Sequence, residues 1–125
     1  MPERPKLFTI DTEMQRWCAL LEEQLLEWPD VSKKPMFGMI GFYHNEVIFA
    51  AIPRTKAAES ARSVLIKLPG VKDKRLKRAS GRDSQWAAFE LESASDINEA
   101  LTWLERAYET NSQGGESQGK WDSKR

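Results

Sequence analysis

One cysteine and one histidine in 125 residues leave little from which to build a reactive centre. Cys18 alone excludes an internal disulfide and fits a reducing compartment. His44 alone excludes a multi-histidine metal site, and a single His with a single Cys on a separate element is not a ligand set. Net charge is lacking as well: 19 basic and 19 acidic side chains cancel. That excludes a protein basic throughout that holds nucleic acid by bulk charge, and leaves room for a local patch. No apolar run nears the roughly 20 residues that a membrane span requires. Met1-Pro2-Glu3-Arg4-Pro5 lacks the apolar segment of a secretion signal. Together these absences predict a cytoplasmic protein that is not an enzyme, with no cofactor, no metal and no membrane or small-molecule partner. The length predicts one domain with one modest core.

What the chain has in quantity is aromatic and apolar surface, including five tryptophans. The densest apolar stretch is Lys34 to Pro53, bounded by prolines. It reads as a β-hairpin turning at His44-Asn45, and His44 is read as a turn residue. Gly38 and Gly41 in its first strand mark a bulge, a bend or a close backbone approach. The second strand, Glu46 to Ile52, is apolar on both faces, which predicts a central strand covered on both sides or a strand with one face covered by a partner. The flanking elements follow from periodicity. Met14, Trp17, Cys18, Leu21, Leu25 and Trp28 recur at helical spacing, so a helix is predicted from Thr12 to Trp28, capped by Asp11 or Thr12 and stopped by Pro29. Cys18 lies on that stripe as a packing residue. Residues 1–10 read as a lead-in, Asp30–Lys34 as a connector, and Arg54–Ala61 as a polar connector with one or two helical turns. Strands follow at Arg62–Leu68 and Gln85–Glu92, separated by a basic loop or a short helix from Val71 to Ala79. A last helix runs from Asp96 to Asn111 with Ser95 as its N-cap. The predicted fold is α+β: an antiparallel sheet of four to five strands flanked by an N-terminal and a C-terminal helix. Residues 1–110 form the domain. Residues 111–125 have the composition of a flexible tail, with Trp121 outside the core.

Lys34-Pro-Met-Phe-Gly-Met-Ile-Gly-Phe-Tyr, a turn, Val47-Ile-Phe-Ala and then Val64-Leu-Ile-Lys-Leu resemble the N-terminal domain of the competence regulator TfoX (Sxy). There the pattern is Met-Phe-Gly-Gly-x-Gly-aromatic-Tyr, a turn, a Met-Phe-Ala strand and a strand ending in an apolar-Lys pair. A looser match continues through Gly81-Arg82, Trp86, Trp103-Leu104 and Ala107-Tyr108. The resemblance implies a small α+β domain related in fold to YjbR-like proteins. It implies no catalytic residues, because that family has no agreed set.

Two readings of function follow. The first is a protein-interaction or regulatory module, with self-association through a sheet face or edge as its simplest form. The second is a nucleic-acid-associated module. The segment from Gly70 to Arg82 holds Lys72, Lys74, Arg75, Lys77, Arg78 and Arg82 against Asp73 alone. With Trp86 following, these cations are candidates for phosphate contacts and the indole for stacking on a base. The competing reading of the same segment is a solvated loop that balances the acidic helices.

Overall fold

A computed structural model of the chain describes residues 7–69, 73–78 and 85–111. The elements run β1 (Leu7–Thr9), α1 (Thr12–Leu25), β2 (Val31–Met36), β3 (Met39–His44), β4 (Val47–Pro53), β5 (Lys56–Ala58), β6 (Ser63–Lys67), β7 (Leu76–Arg78), β8 (Trp86–Glu90) and α2 (Asp96–Thr110). The class is α+β. Six strands form one antiparallel sheet in the order β2-β3-β4-β6-β8-β7, and β1 pairs with β5 in a small second sheet. The helices come before and after the six-stranded sheet, as expected, but that sheet is wider than four to five strands. Among the described residues no helix is long and apolar enough to cross a membrane.

The extra strands come from segments that read as connectors. Asp30–Lys34 was expected to link helix and hairpin, yet Val31–Met36 pairs along its whole length with β3. Two hairpins therefore stand where one was predicted, and Phe37-Gly38 is the turn between β2 and β3. Both residues have positive φ, 48° and 79°, as a primed two-residue turn requires. Gly38 thus serves a turn rather than a bulge within a strand. The next turn is Asn45-Glu46, again with both φ positive. It lies one residue later than the expected His44-Asn45, so His44 ends β3 opposite Val47. Lys56–Ala58, inside the predicted polar connector, is a strand and not helical turns, and it pairs with Leu7–Thr9 of the supposed lead-in. The predicted helix from Val71 to Ala79 is corrected too: Leu76–Arg78 is a strand beside β8, while Val71 and Ala79 lie outside the described residues. The tail from Ser112, Trp121 included, also lies outside them. Asn111 belongs to the domain, since its side-chain amide donates to the carbonyls of Lys67 and Ala107.

Strand alternation sorts the sheet into two faces. Met14, Trp17, Cys18, Leu21 and Leu25 of α1 and Ala100, Leu104 and Ala107 of α2 form one buried cluster with Ile40, Phe42, Ala50, Ile52, Val64, Ile66 and Phe89. Both helices therefore cover the same face. A break in register between β3 and β4 leaves Phe49 without a partner across the pair. The bulge aims Phe49 into this core, where it is fully buried. The predicted central strand is confirmed in β4, which lies inside the sheet.

The helix ends show how local chemistry fixes the frame. Asp11 Oδ1 accepts from the Met14 N–H at 2.8 Å and caps α1. Ser95 precedes α2 but makes no side-chain capping bond. Asp96, the first residue of α2, instead reaches back to fasten the turn before the helix: its Oδ2 accepts from the N–H groups of Glu92 at 2.8 Å and Ser93 at 3.2 Å. The Glu92 N–H, with the nearby Arg75 guanidinium, holds the Asp96 carboxyl below its usual range. A carboxylate depressed on folding contributes stability above its ordinary pKa near 4, and that stability is lost as pH falls through the lower folded value. Asp96→Asn should therefore cost about 1 kcal/mol at pH 7, roughly 4 °C in the thermal midpoint. The penalty should shrink on titration to about pH 3. A deficit independent of pH would show that the carboxylate's charge is not what stabilises this corner.

Candidate functional site

Within the predicted basic cluster, the described residues differ in what they contact. Asp73 Oδ1 accepts from the Arg75 N–H at 2.9 Å, and the Leu76 N–H donates to the Asp73 carbonyl at 3.0 Å, making a tight turn into β7. Arg75 points back to the protein. Its guanidinium donates to Asp96 at 3.3 Å, to Glu99 at 3.1 Å and to the Glu90 carbonyl at 3.1 Å, and lies 4.5 Å from the Phe89 ring centre. Arg75 is thereby a tie between β7, β8 and α2, not a free phosphate ligand. Lys74 and Lys77 are exposed. Arg78 lies in β7. Lys72 and Arg82 lie outside the described residues. Trp86 is half-buried in β8, opposite Lys67.

His44 is not a turn residue. It is 8% exposed, and its ring stacks on Tyr108 with centroids 3.8 Å apart and planes 6° from parallel. Its Nδ1 lies 2.8 Å from the Tyr108 carbonyl. A carbonyl only accepts, so the proton sits on Nδ1. The Tyr108 hydroxyl donates to the Pro29 carbonyl at 2.8 Å, and burial raises its pKa, with Asp30 and Glu109 adding to the effect. Trp28 and Phe49 complete this aromatic group. Cys18 is buried, and burial pushes its thiol up to about 12, so it is a protonated packing residue at neutral pH. Among the described residues no group of three or more His, Cys, Asp and Glu stands close enough to hold a metal ion. A hollow of about 340 Å³ lies between α1 and the Pro53–Thr55 turn, lined among others by Cys18, Glu22 and Arg54. Glu22 there pairs with Lys33.

Two surfaces remain distinctive. The first is the tip of the β2–β3 hairpin. Phe37 is 78% exposed although its backbone is left-handed. The tip is tied to the link between β4 and β5: the Gly38 carbonyl accepts from the N–H groups of Arg54, Thr55 and Lys56 at 3.0, 2.9 and 3.1 Å. The second is the sheet face turned away from both helices. Register aligns Lys34, Gly41, Ala51, Leu65, Ala88 and Lys77 in one row across all six strands. A neighbouring row holds Tyr43 opposite Ile48, and Lys67 opposite Trp86. Sequence reading singled out Lys77 and Trp86 but missed Lys34, Lys67 and Tyr43. Lys67 and Tyr43 lay in predicted strands but Lys34 in a predicted connector, and without the strand order nothing joined them into one surface.

The two-layer arrangement, with both helices on one face of a mixed-order antiparallel sheet, defines a small α+β domain. The family described as a domain of unknown function (DUF5655) matches residues 11–111, and the chain belongs to that family. No curated protein and no solved structure matches the chain.

Proposed function

We propose that this domain is a binding module without catalysis of its own, engaging a protein partner through the hairpin tip at Phe37. The observation that carries the reading is an aromatic side chain at 78% exposure on a left-handed backbone. For a non-glycine residue that conformation costs about 1–2 kcal/mol, and a ring left in water returns little of it. Strain of this kind concentrates at binding and switch sites. The three N–H groups that hold the Gly38 carbonyl preorganise the tip, which lowers the ordering cost of association. The resemblance to the TfoX N-terminal domain, whose family has no agreed catalytic residues, supports binding over catalysis.

Phe37→Asn separates the two roles, since asparagine tolerates positive φ. The thermal midpoint should stay or rise by up to about 4 °C, while a protein retained by the wild-type chain should be lost. If sedimentation shows a wild-type dimer that the substitution dissolves, the partner is a second copy. A partner held equally by Phe37→Asn sinks the proposal.

A further inference from the structure

We infer that the sheet face opposite the helices is a platform for single-stranded nucleic acid, with Tyr43 and Trp86 stacking on bases and Lys34, Lys67 and Lys77 holding phosphates. This is a surface separate from the hairpin tip. The inference rests on where charge and rings are placed. α1 and α2 carry seven carboxylates and two guanidinium groups, whereas register places Lys34, Lys67 and Lys77 on the open face with one strand carboxylate, Glu90; Lys33 and Arg78 fall at helix-side positions. Although the whole chain is neutral, its two layers carry opposite signs. The open face therefore complements an anion, and the helical face repels one.

The chemistry of the row fits a strand more closely than it fits a protein surface. Lys34 and Lys77 stand at its two ends, five strand spacings apart, or about 24 Å. Between them the row runs through Gly41, Ala51, Leu65 and Ala88; Met36, Ile48 and Tyr43 lie over Gly41, Ala51 and Ala88 are buried, and Leu65 is partly exposed. Tyr43 and Trp86 stand on the neighbouring row, three strand spacings apart, or about 14 Å. Both residues are half-buried and keep part of their surface in solvent. The Lys34 ammonium lies 5.2 Å from the Tyr43 ring centre, so cation and ring already share one locus. No ion pair occupies Lys34, Lys67 or Lys77 among the described residues. That contrasts with Lys33, on the helical side of the same strand, which is taken by Glu22. Glu90 and Glu92 share a hollow with Lys77, so the Tyr43 and Lys67 side is the more anion-attracting half. Base stacking tolerates any base and phosphate contact ignores sequence. Binding is therefore expected to be broad in sequence, and selective for single strands because paired bases do not offer their faces.

The test is fluorescence anisotropy of the full chain with labelled oligo-dT, oligo-U, a mixed-sequence single strand and a duplex. At about 50 mM salt, where phosphate contacts are strongest, the single strands should bind and quench tryptophan fluorescence, and the duplex should bind at least about tenfold more weakly, the loss that forfeited stacking implies. Three phosphate contacts predict a loss of roughly twentyfold in affinity between about 50 and 200 mM salt. Lys34→Gln with Lys67→Gln and Lys77→Gln should flatten that slope. Tyr43→Leu and Trp86→Leu should each cost about tenfold while keeping it. Phe37→Asn should change none of these values, so the hairpin proposal and this one fail separately. Circular dichroism of each variant shows whether it is folded, and the lysine triple, altered at solvent-facing ends, stands in if an aromatic variant is not. The inference is overturned by absence of binding to any single strand at low salt. It is equally overturned by equal binding of the duplex, by indifference of folded variants to the lysine and aromatic changes, or by a dimer that Leu65→Glu dissociates, which would assign this face to a second copy.

Discussion

Tyr108→Ala should lower stability by about 3 kcal/mol, or roughly 12 °C in the thermal midpoint. The loss has three parts in one side chain. The ring is the surface on which His44 stacks, and it also meets Trp28 and Phe49. Its hydroxyl donates to the Pro29 carbonyl, which ties the end of α2 to the link between α1 and β2. Its removal also uncovers the His44 ring, which is now buried and bonded to the Tyr108 backbone. Tyr108→Phe separates these parts. It keeps the rings and deletes one hydrogen bond, so it should cost about 1 kcal/mol, near 4 °C. Thermal melts of both variants check the pair. If alanine and phenylalanine cost the same, the hydroxyl alone holds this corner and the stacked group contributes nothing.

The second large effect is expected at Gly38→Val, about 2–4 kcal/mol. Gly38 sits at φ 79°, where a β-branched residue is strained. A Cβ there would also stand 2.7 Å from Lys56 Cγ and 3.0 Å from Lys56 Cβ. The second atom is fixed to the backbone and cannot swing aside. Gly41→Ala provides the contrast. Its added Cβ meets the end of the flexible Met36 side chain at 2.8 Å, and its φ is ordinary. Methionine adapts to such intrusions, so the cost should stay near 1 kcal/mol. Chemical denaturation of the two variants compares them directly. Equal losses would mean that crowding, and not the left-handed turn, governs this hairpin.

These residues also show what could be read from the chain. Helical spacing marked the buried stripe of α1 correctly, because Met14, Trp17, Cys18, Leu21 and Leu25 repeat a simple period. β4 was recognised as central because it is apolar on both sides. Turns were harder. Phe37-Gly38 carries an aromatic where small polar residues are usual, so it read as part of a strand. β2, whose composition is Val-Ser-Lys-Lys-Pro-Met, has neither strict alternation nor an apolar run, as suits a charged and proline-bearing edge. Its pairing comes from β3, not from its own propensity. For the basic segment, sequence supplied the cations but not their partners: Arg75 finds Asp96 and Glu99 only once α2 folds back beside β8. The open-face row joins residues from β2 to β8, and such a surface exists only when the strand order is known.

Among the described residues, the carboxylates of the helices and the lysines of the open sheet face form an electric dipole. Net charge sets whether a distant ion is attracted, while a dipole sets which side of the protein turns toward it. At separations within the Debye length, about 8 Å at physiological ionic strength, a neighbouring anion applies a torque that presents the strands and hides the helices. The same field turns the helices toward a basic neighbour. Orientation is thus selected before contact, without the long-range pull, or the indiscriminate adhesion, of a strongly charged protein.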